Sequence, residues 1–363
     1  MKKLFATMAV LLVAAMLTVA CAPAPAPTPT NPVKTDASDV TEAPDVTVPP
    51  ETTVPPTEPP TELKVPDRPI KLAGLKGPTS MGLAELITKA QQDDADIRVD
   101  FELFGSPNEL VPKIVKGECD LAAVPANLAS TLYNKTDGQV VTVAINTLGI
   151  LNIVERGDTI HSLEDLKGKT IYASGQGAVP EYAFHLLLEK SGIDPDHDVE
   201  IIWEAEHSAV VQSLVAHDGA IALLPQPFVT VTQKKVEDLR VAIDLNTVWE
   251  SLVEDAGFVM GVLVAQKSLV EAYPEMMDAF LERYEASIAF ANDQPEEAAE
   301  LIEALGIFKA AIAKEAIPYC SIRFADGQAM KTMLEGFLRL MFDANPQSIG
   351  GQLPGPEFYY GAD

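Results

Sequence analysis

The sequence predicts an α/β fold of two lobes, joined by two hinge crossings and completed by a helical C-terminal region. Three observations carry this expectation. From Arg68 onward short β-branched runs alternate with amphipathic stretches, the rhythm of strands followed by covering helices. Two apolar runs, 140–154 and 258–264, suit a chain that passes from one lobe to the other and back. Beyond residue 269 apolar residues recur with helical period almost to the end.

Taken in order, residues 70–73 read as a strand, followed by a Gly/Pro/Ser turn and a helix over 82–92. A strand at 97–104, a helix at 108–116 and a strand at 120–124 come next. The 140–154 run is long for one strand, and at about 3.3 Å per residue it reaches out of one lobe into another. Ser162-Leu163-Glu164-Asp165-Leu166-Lys167-Gly168-Lys169 is a short helix with a serine N-cap and a glycine terminator, leading into a strand at 170–173. The cycle repeats through 180–190, 199–203, 209–216 and 220–224, after which 258–264 crosses back. Amphipathic segments at 274–292, 295–305, 310–317 and 328–342 make up the helical remainder. The crossings make the first lobe discontinuous, residues 67–147 plus 262–363, and the second continuous, residues 148–261, with a ligand expected between them.

Ahead of this body, Met1-Lys2-Lys3 runs straight into an apolar stretch that ends at Ala20-Cys21. A charged start, a short apolar run and small residues before the break predict a secretory signal peptide over 1–20. The run is too short, and too closely followed by polar chain, to make a good membrane anchor. Thr18-Val19-Ala20-Cys21 resembles the lipobox of bacterial lipoproteins, with Thr18 where that motif favours leucine and Leu17 one residue earlier. The resemblance implies that Cys21 becomes a lipidated, palmitate-bearing N-terminus that tethers the protein outside the cytoplasmic membrane; an ordinary signal peptide with an incidental cysteine is the alternative. Residues 21–66 are dominated by Pro, Thr and Ala, which cannot bury a core, and read as a solvated, disordered stalk.

The chain carries 26 Lys+Arg and 53 Asp+Glu. Setting aside Lys2, Lys3, Lys34 and Lys64 and the seven acids of the stalk leaves 22 against 46, a net charge of −24 for the body. A field of that sign repels nucleic acid and anionic headgroups, so neither is an expected partner. Besides Cys21 there are Cys119 and Cys320, open to one disulfide or to two buried thiols, the latter being the reading preferred here. No CxxC or Cys/His cluster suggests a metal or cofactor.

Ligands of open α/β sheets bind beyond the carboxyl ends of strands, where loops meet helix N-termini. Five loops fit. Gly77-Pro78-Thr79-Ser80-Met81-Gly82 offers two hydroxyls at a helix start, although Thr79 or Ser80 could equally be ordinary caps. Phe104-Gly105-Ser106-Pro107-Asn108 places Phe104 to line a cleft, and Asn127 follows the strand ending in Val124-Pro125. From the second lobe come Ser174-Gly175-Gln176-Gly177, which lacks the Lys-Ser/Thr of a Walker loop, and Leu224-Pro225-Gln226-Pro227-Phe228, which presents Gln226 between prolines. Tyr172, Tyr182 and Phe228 could wall a cleft or pack in a core.

The order of Gly77-Pro78-Thr79, Gly117-Glu118-Cys119-Asp120-Leu121-Ala122, the 162–169 phrase and Leu224-Pro225-Gln226-Pro227-Phe228 resembles the nitrate/sulfonate/taurine-type substrate-binding proteins of ABC importers. It covers residues 68–264 well and the helical tail loosely. The resemblance implies a type II periplasmic-binding fold, no catalysis, no cofactor, and a monomer that hands a small-molecule ligand to an importer permease. By position in the matching loops it assigns Thr79, Ser80 and Asn127 to one wall of the cleft and Ser174, Gln176 and Gln226 to the other; Met81 and Phe104, in the same first-lobe loops, are expected to line the site with them. None of these loops contains Arg or Lys, with Lys76 the nearest cation, so a neutral heteroaromatic such as a pyrimidine vitamin precursor stands beside a sulfonate-, nitrate- or taurine-like anion. Alternatives are an enzyme on the same fold, of dehydratase or pyrimidine-precursor synthase type, and a surface lipoprotein without transport function. His161, His185, His197, His207 and His217 all fall in the second lobe, with no spacing that fixes a metal, and read as surface or capping residues.

Overall fold

The structure, a computed structural model, describes residues 63–362 apart from Asp255. The expected signal peptide, Cys21 and the stalk up to residue 62 lie outside the described residues. The last four residues assigned to the stalk join the body instead. Leu63 and Val65 pack on its apolar interior, Pro66 is buried, and Lys64 Nζ stands 5.3 Å from the centre of the Tyr273 ring. Apolar side chains so close to a strand gain more from burial than from extension into solvent.

The chain first builds β1 (Ile70–Leu75), α1 (Pro78–Met81), α2 (Ala84–Ala90), β2 (Val99–Phe104), α3 (Pro107–Val115), β3 (Leu121–Pro125), α4 (Ala126–Lys135) and β4 (Val140–Thr147). After Leu148-Gly149-Ile150 it continues as β5 (Leu151–Arg156), a 3₁₀ turn over Leu163–Leu166, β6 (Thr170–Ser174), α5 (Val179–Lys190), β7 (Glu200–Glu204), α6 (His207–Ala216), β8 (Ile221–Pro225), α7 (Phe228–Gln233), β9 (Leu239–Asp244) and α8 (Leu245–Leu252). It then returns through β10 (Gly261–Gln266), α9 (Lys267–Ala272), α10 (Pro274–Asp293), α11 (Pro295–Ala304), α12 (Ala310–Ala316), β11 (Ile322–Ala325) and α13 (Gly327–Ala344).

Two sheets result. One has the order β11-β4-β10-β3-β1-β2 and the other β7-β6-β8-β5-β9. In the first, β1 runs parallel to β2 and β3 while β10 is antiparallel to β3 and β4. In the second, β6 is parallel to β7 and β8, and β5 is antiparallel to β8 and β9. Both are thus built from three parallel strands and strands of the crossing chain. The single strand expected over 140–154 is two, β4 and β5, in different sheets. The break falls at Gly149, where Asn246 Oδ1 and Phe258 Cδ1 occupy the space a Cβ would need. Ser321 Oγ donates to Gly149 O at 2.8 Å and Leu148 N to Ser321 O at 3.0 Å, which pins the crossing to the return chain.

The helix expected over 82–92 is α2, and the turn expected before it holds one helical turn of its own, α1. Buried Ser287 Oγ donates to Gly82 O at 2.7 Å and accepts from Leu86 N at 3.0 Å, holding the step between α1 and α2. One apolar interior lies between the first sheet and α2, α10, α11 and α12. A second runs from the other face of that sheet, along α13, to α5, α8 and β5. In it Trp249 stacks on Phe258 at 4.6 Å and meets Phe337 of α13 at 5.7 Å, so α13 packs on elements of both sheets. Cys119 and Cys320 are free thiols, buried in these two different interiors. Burial pushes both thiols above the usual cysteine range.

Candidate ligand-binding site

The carboxyl ends of the parallel strands feed directly into helices: β1 into α1, β2 into α3, β3 into α4, and β6, β7 and β8 into α5, α6 and α7. Every loop singled out from the sequence therefore sits at a strand end beside unpaired helical N–H groups.

In the second sheet these loops converge. Ser174, the last residue of β6, is 2 % exposed, and its Oγ is 2.5 Å from His207 Nδ1 at the start of α6. The imidazole lies 4.8 Å from the Phe228 ring at the start of α7. Gln226, 5 % exposed, donates from its backbone N to Ile150 O at 2.9 Å and accepts at Oε1 from Thr230 Oγ1 at 2.9 Å. With Oε1 engaged, the Nε2 amide is the part of Gln226 left to donate elsewhere. Gln176 is exposed on the loop between Ser174 and α5, where Glu181 Oε2 accepts from Gly177 N at 2.6 Å.

The first-sheet residues are distributed differently. Thr79 is half-buried, its methyl against Gly261 and thereby beside Asn146 and Thr147. Ser80 and Met81 are fully buried. Among the described residues Ser80 Oγ has no hydrogen-bond partner, and it is tucked against Gly74 of β1. Phe104 is buried with Lys113 Nζ 5.0 Å from its ring centre. Asn127 sits in the first turn of α4, and its Nδ2 donates to Ser348 O at 3.1 Å. Of this group, Thr79 and the Lys76 beside it keep exposed surface.

The two sides meet at α7. Phe228 contacts Phe308, which follows α11, edge to face at 6.4 Å, and Lys234 Nζ pairs with Glu315 Oε1 of α12 at 2.5 Å. Between them runs a groove of about 410 Å³, lined by Lys76, Val231, Gly306, Phe308, Lys309 and Ile312. His207, read from the sequence as a surface or capping residue, stands instead in this cluster. Its signal was its place one residue past the end of a strand–loop unit, at a helix start. Burial holds its imidazole down to about 4, against the pull of Glu206, so the ring is neutral at pH 7. Ser174 and His207 have the separation of a nucleophile and a base. Among the described residues, however, no carboxylate hydrogen-bonds that imidazole, and no cluster of His, Cys, Asp or Glu could hold a metal. What the arrangement offers is neutral hydrogen-bond donors beside aromatic surface.

Comparison with known proteins identifies the architecture. A crystal structure described as an ABC transporter from Parabacteroides distasonis superposes with a TM-score of 0.69 at 25 % identity, covering 81 % of this chain and 99 % of that one. The periplasmic aliphatic sulphonate binding protein SsuA from Escherichia coli gives 0.63 at 13 % identity, covering 78 % and 95 %. The alkanesulfonate-binding protein SsuA from Xanthomonas axonopodis pv. citri, bound to MOPS, gives 0.57 at 13 %, covering 79 % and 94 %. No curated protein sequence matches the chain. The family model for the phosphonate periplasmic substrate-binding protein of ABC transporters matches residues 83–315, and this chain belongs to that family of extracytoplasmic substrate-binding components.

Proposed function

We propose that the chain is a lipid-tethered, monomeric receptor that closes its two lobes on a small phosphonate or sulfonate and presents it to an importer permease. The lobes are residues 67–147 with 262–363, and residues 148–261. The observation that carries the ligand class is the donor set at the second-sheet strand ends, the Ser174–His207 pair and the Gln226 amide, standing beside Phe228. A body of net charge −24 repels anions at long range, so an oxyanion is held by such local donors rather than by a steering field. The sulphonate-binding names of the structural neighbours and the phosphonate name of the family model point to the same ligand chemistry.

Thr79 and Lys76 supply the facing wall, while Ser80, Met81, Phe104 and Asn127 shape the strand ends behind it. The neutral heteroaromatic alternative draws support from the Phe228–Phe308 contact. Mass spectrometry of small molecules released by denaturing the purified protein decides between them. A phosphonate or sulfonate bears out the proposal; a heteroaromatic without an acidic group replaces it. Tethering rests on Cys21: Cys21→Ala moves the protein out of the membrane fraction, and unchanged fractionation overturns the lipid anchor.

A further inference from the structure

The two crossings and the helices beside them enclose a second groove, which shares no residue with the strand-end loops. It holds about 450 Å³, within the roughly 300–1,000 Å³ of small-molecule sites. Its apolar floor is Leu148 of the first crossing, Phe258 of the second, Trp249 and Val253 of the second lobe, and Met333 of α13. Trp249 Nε1 donates to Ala256 O at 2.8 Å, so the polar atom of the indole is already engaged. The charged residues of the lining are Glu250 and Glu254, and both are exposed. Among the described residues neither pairs with a lysine or arginine; Asn246 Nδ2 donates to Glu250 Oε1 at 2.9 Å.

Both crossings meet this groove at a glycine. Gly149 lies against Asn246 Oδ1 and Phe258 Cδ1, and Gly257 against Met333 Cε and Cβ, with no room for a side chain at either. The walls come from both lobes, α8 from the second and α13 from the first, so movement of one lobe on the other reshapes the groove. It has its present volume in the arrangement where the lobes touch at Phe228–Phe308 and at Lys234–Glu315.

We infer that this groove is a second ligand site, taking a small organic cation with an apolar body, and, resting on the receptor reading above, that its occupant favours closure of the cleft. The apolar body covers the floor around Trp249 and Phe258, and the cationic end faces Glu250 and Glu254. An anion would meet two carboxylates and a body of net charge −24. An occupant that binds the touching arrangement better draws the lobes toward it. By linkage, each ligand then raises the affinity for the other by the same factor.

Tryptamine is the probe, and indole-3-propionate, the same ring with its charge reversed, is the control. Calorimetry of the full chain should show tryptamine binding at least about tenfold tighter than indole-3-propionate. Glu250→Gln combined with Glu254→Gln keeps the acceptor for Asn246 and should weaken tryptamine about fivefold or more, a size that two exposed charge contacts can supply. Thr332→Arg, at an exposed position of α13 that lines the groove, tethers a cation there and should abolish tryptamine binding. Single-molecule energy transfer between dyes on Glu164→Cys and Glu300→Cys in a Cys21→Ser chain should show tryptamine alone shifting the lobes toward the short distance. Methylphosphonate affinity should rise about fivefold or more at saturating tryptamine. No tryptamine binding, or binding unchanged in the variants, overturns the groove site. Binding with the interlobe distance unchanged overturns its coupling to the cleft. A tryptamine-driven change of distance in a chain that binds neither methylphosphonate nor methanesulfonate leaves the inference standing and overturns the oxyanion reading instead.

Discussion

Replacing Gln226 by alanine separates what this side chain does for the ligand from what it does for the fold. Its Oε1 accepts from Thr230 Oγ1 at 2.9 Å, and Thr230 is itself only 5 % exposed. Gln226→Ala leaves that hydroxyl without its partner, at a cost of about 1–2 kcal/mol in stability. In a chain of this size that lowers the melting temperature by a few degrees. Losing the Nε2 donor to a desolvated ligand oxygen costs a further ~1–3 kcal/mol, roughly ten- to a hundredfold in affinity. Thr230→Val is the control, because it removes the same internal bond and leaves Nε2 in place. Thermal melts and calorimetric titrations of both variants should show similar destabilisation but lost affinity for Gln226→Ala alone. Equal loss of affinity in Thr230→Val would mean that the amide acts only through the fold, and unchanged affinity in Gln226→Ala would remove it from the site.

Three further expectations follow from the packing. Glu155 is 1 % exposed; burial opposes its charge, but hydrogen bonds from Thr159 and Ile160 and the nearby Arg240 outweigh that and hold the carboxyl below the usual glutamate range. Its contribution is complete above the unfolded value of about 4.5 and fades as pH falls toward the folded one, so Glu155→Gln should cost about 3 kcal/mol at pH 7 and flatten acid unfolding below pH 4.5. Lys234→Ala breaks the ion pair with Glu315, whose side chains are 39 % and 54 % exposed, so screening limits the effect to under about 1 kcal/mol and affinity should fall less than about fivefold, and less still at high salt. Thiol titration of a Cys21→Ala chain should find two thiols after unfolding without reductant and almost none before; zero after unfolding would indicate a disulfide.

Much of this fold could be read from the sequence, and the exceptions have physical causes. Fully buried parallel strands such as β3 and β8 read as short apolar runs bounded by turn residues, which is why the alternation stood out. The 140–154 run read as one strand crossing between lobes at 147/148 rather than as two, because Leu148 and Ile150 are as apolar as the strands they join and what divides them is the fit of Gly149 against Phe258 and Asn246. Helix α4 was missed because it opens immediately after Pro125 with no capping side chain to mark its start, and it is held by distant chain, Ser130 Oγ and Asn134 Nδ2 both donating to Ile349 O. The loops of the site were legible as loops; side-chain direction within them was not. Ser80 turns inward against Gly74, and His207 gains its role from Ser174, 33 residues earlier, through the adjacency of β6 and β7.

The central claim is that a ligand closes one lobe on the other, as expected when it contacts both and so binds the closed arrangement better. Single-molecule energy transfer between dyes on Glu164→Cys and Glu300→Cys, exposed positions on the two lobes, measures this directly in a Cys21→Ser chain whose Cys119 and Cys320 are buried. A phosphonate or sulfonate that calorimetry shows to bind should convert a mixture of distances into one short-distance population, with a midpoint equal to the calorimetric dissociation constant. Saturation of binding with the distance distribution unchanged would contradict the claim and place the ligand on one lobe alone.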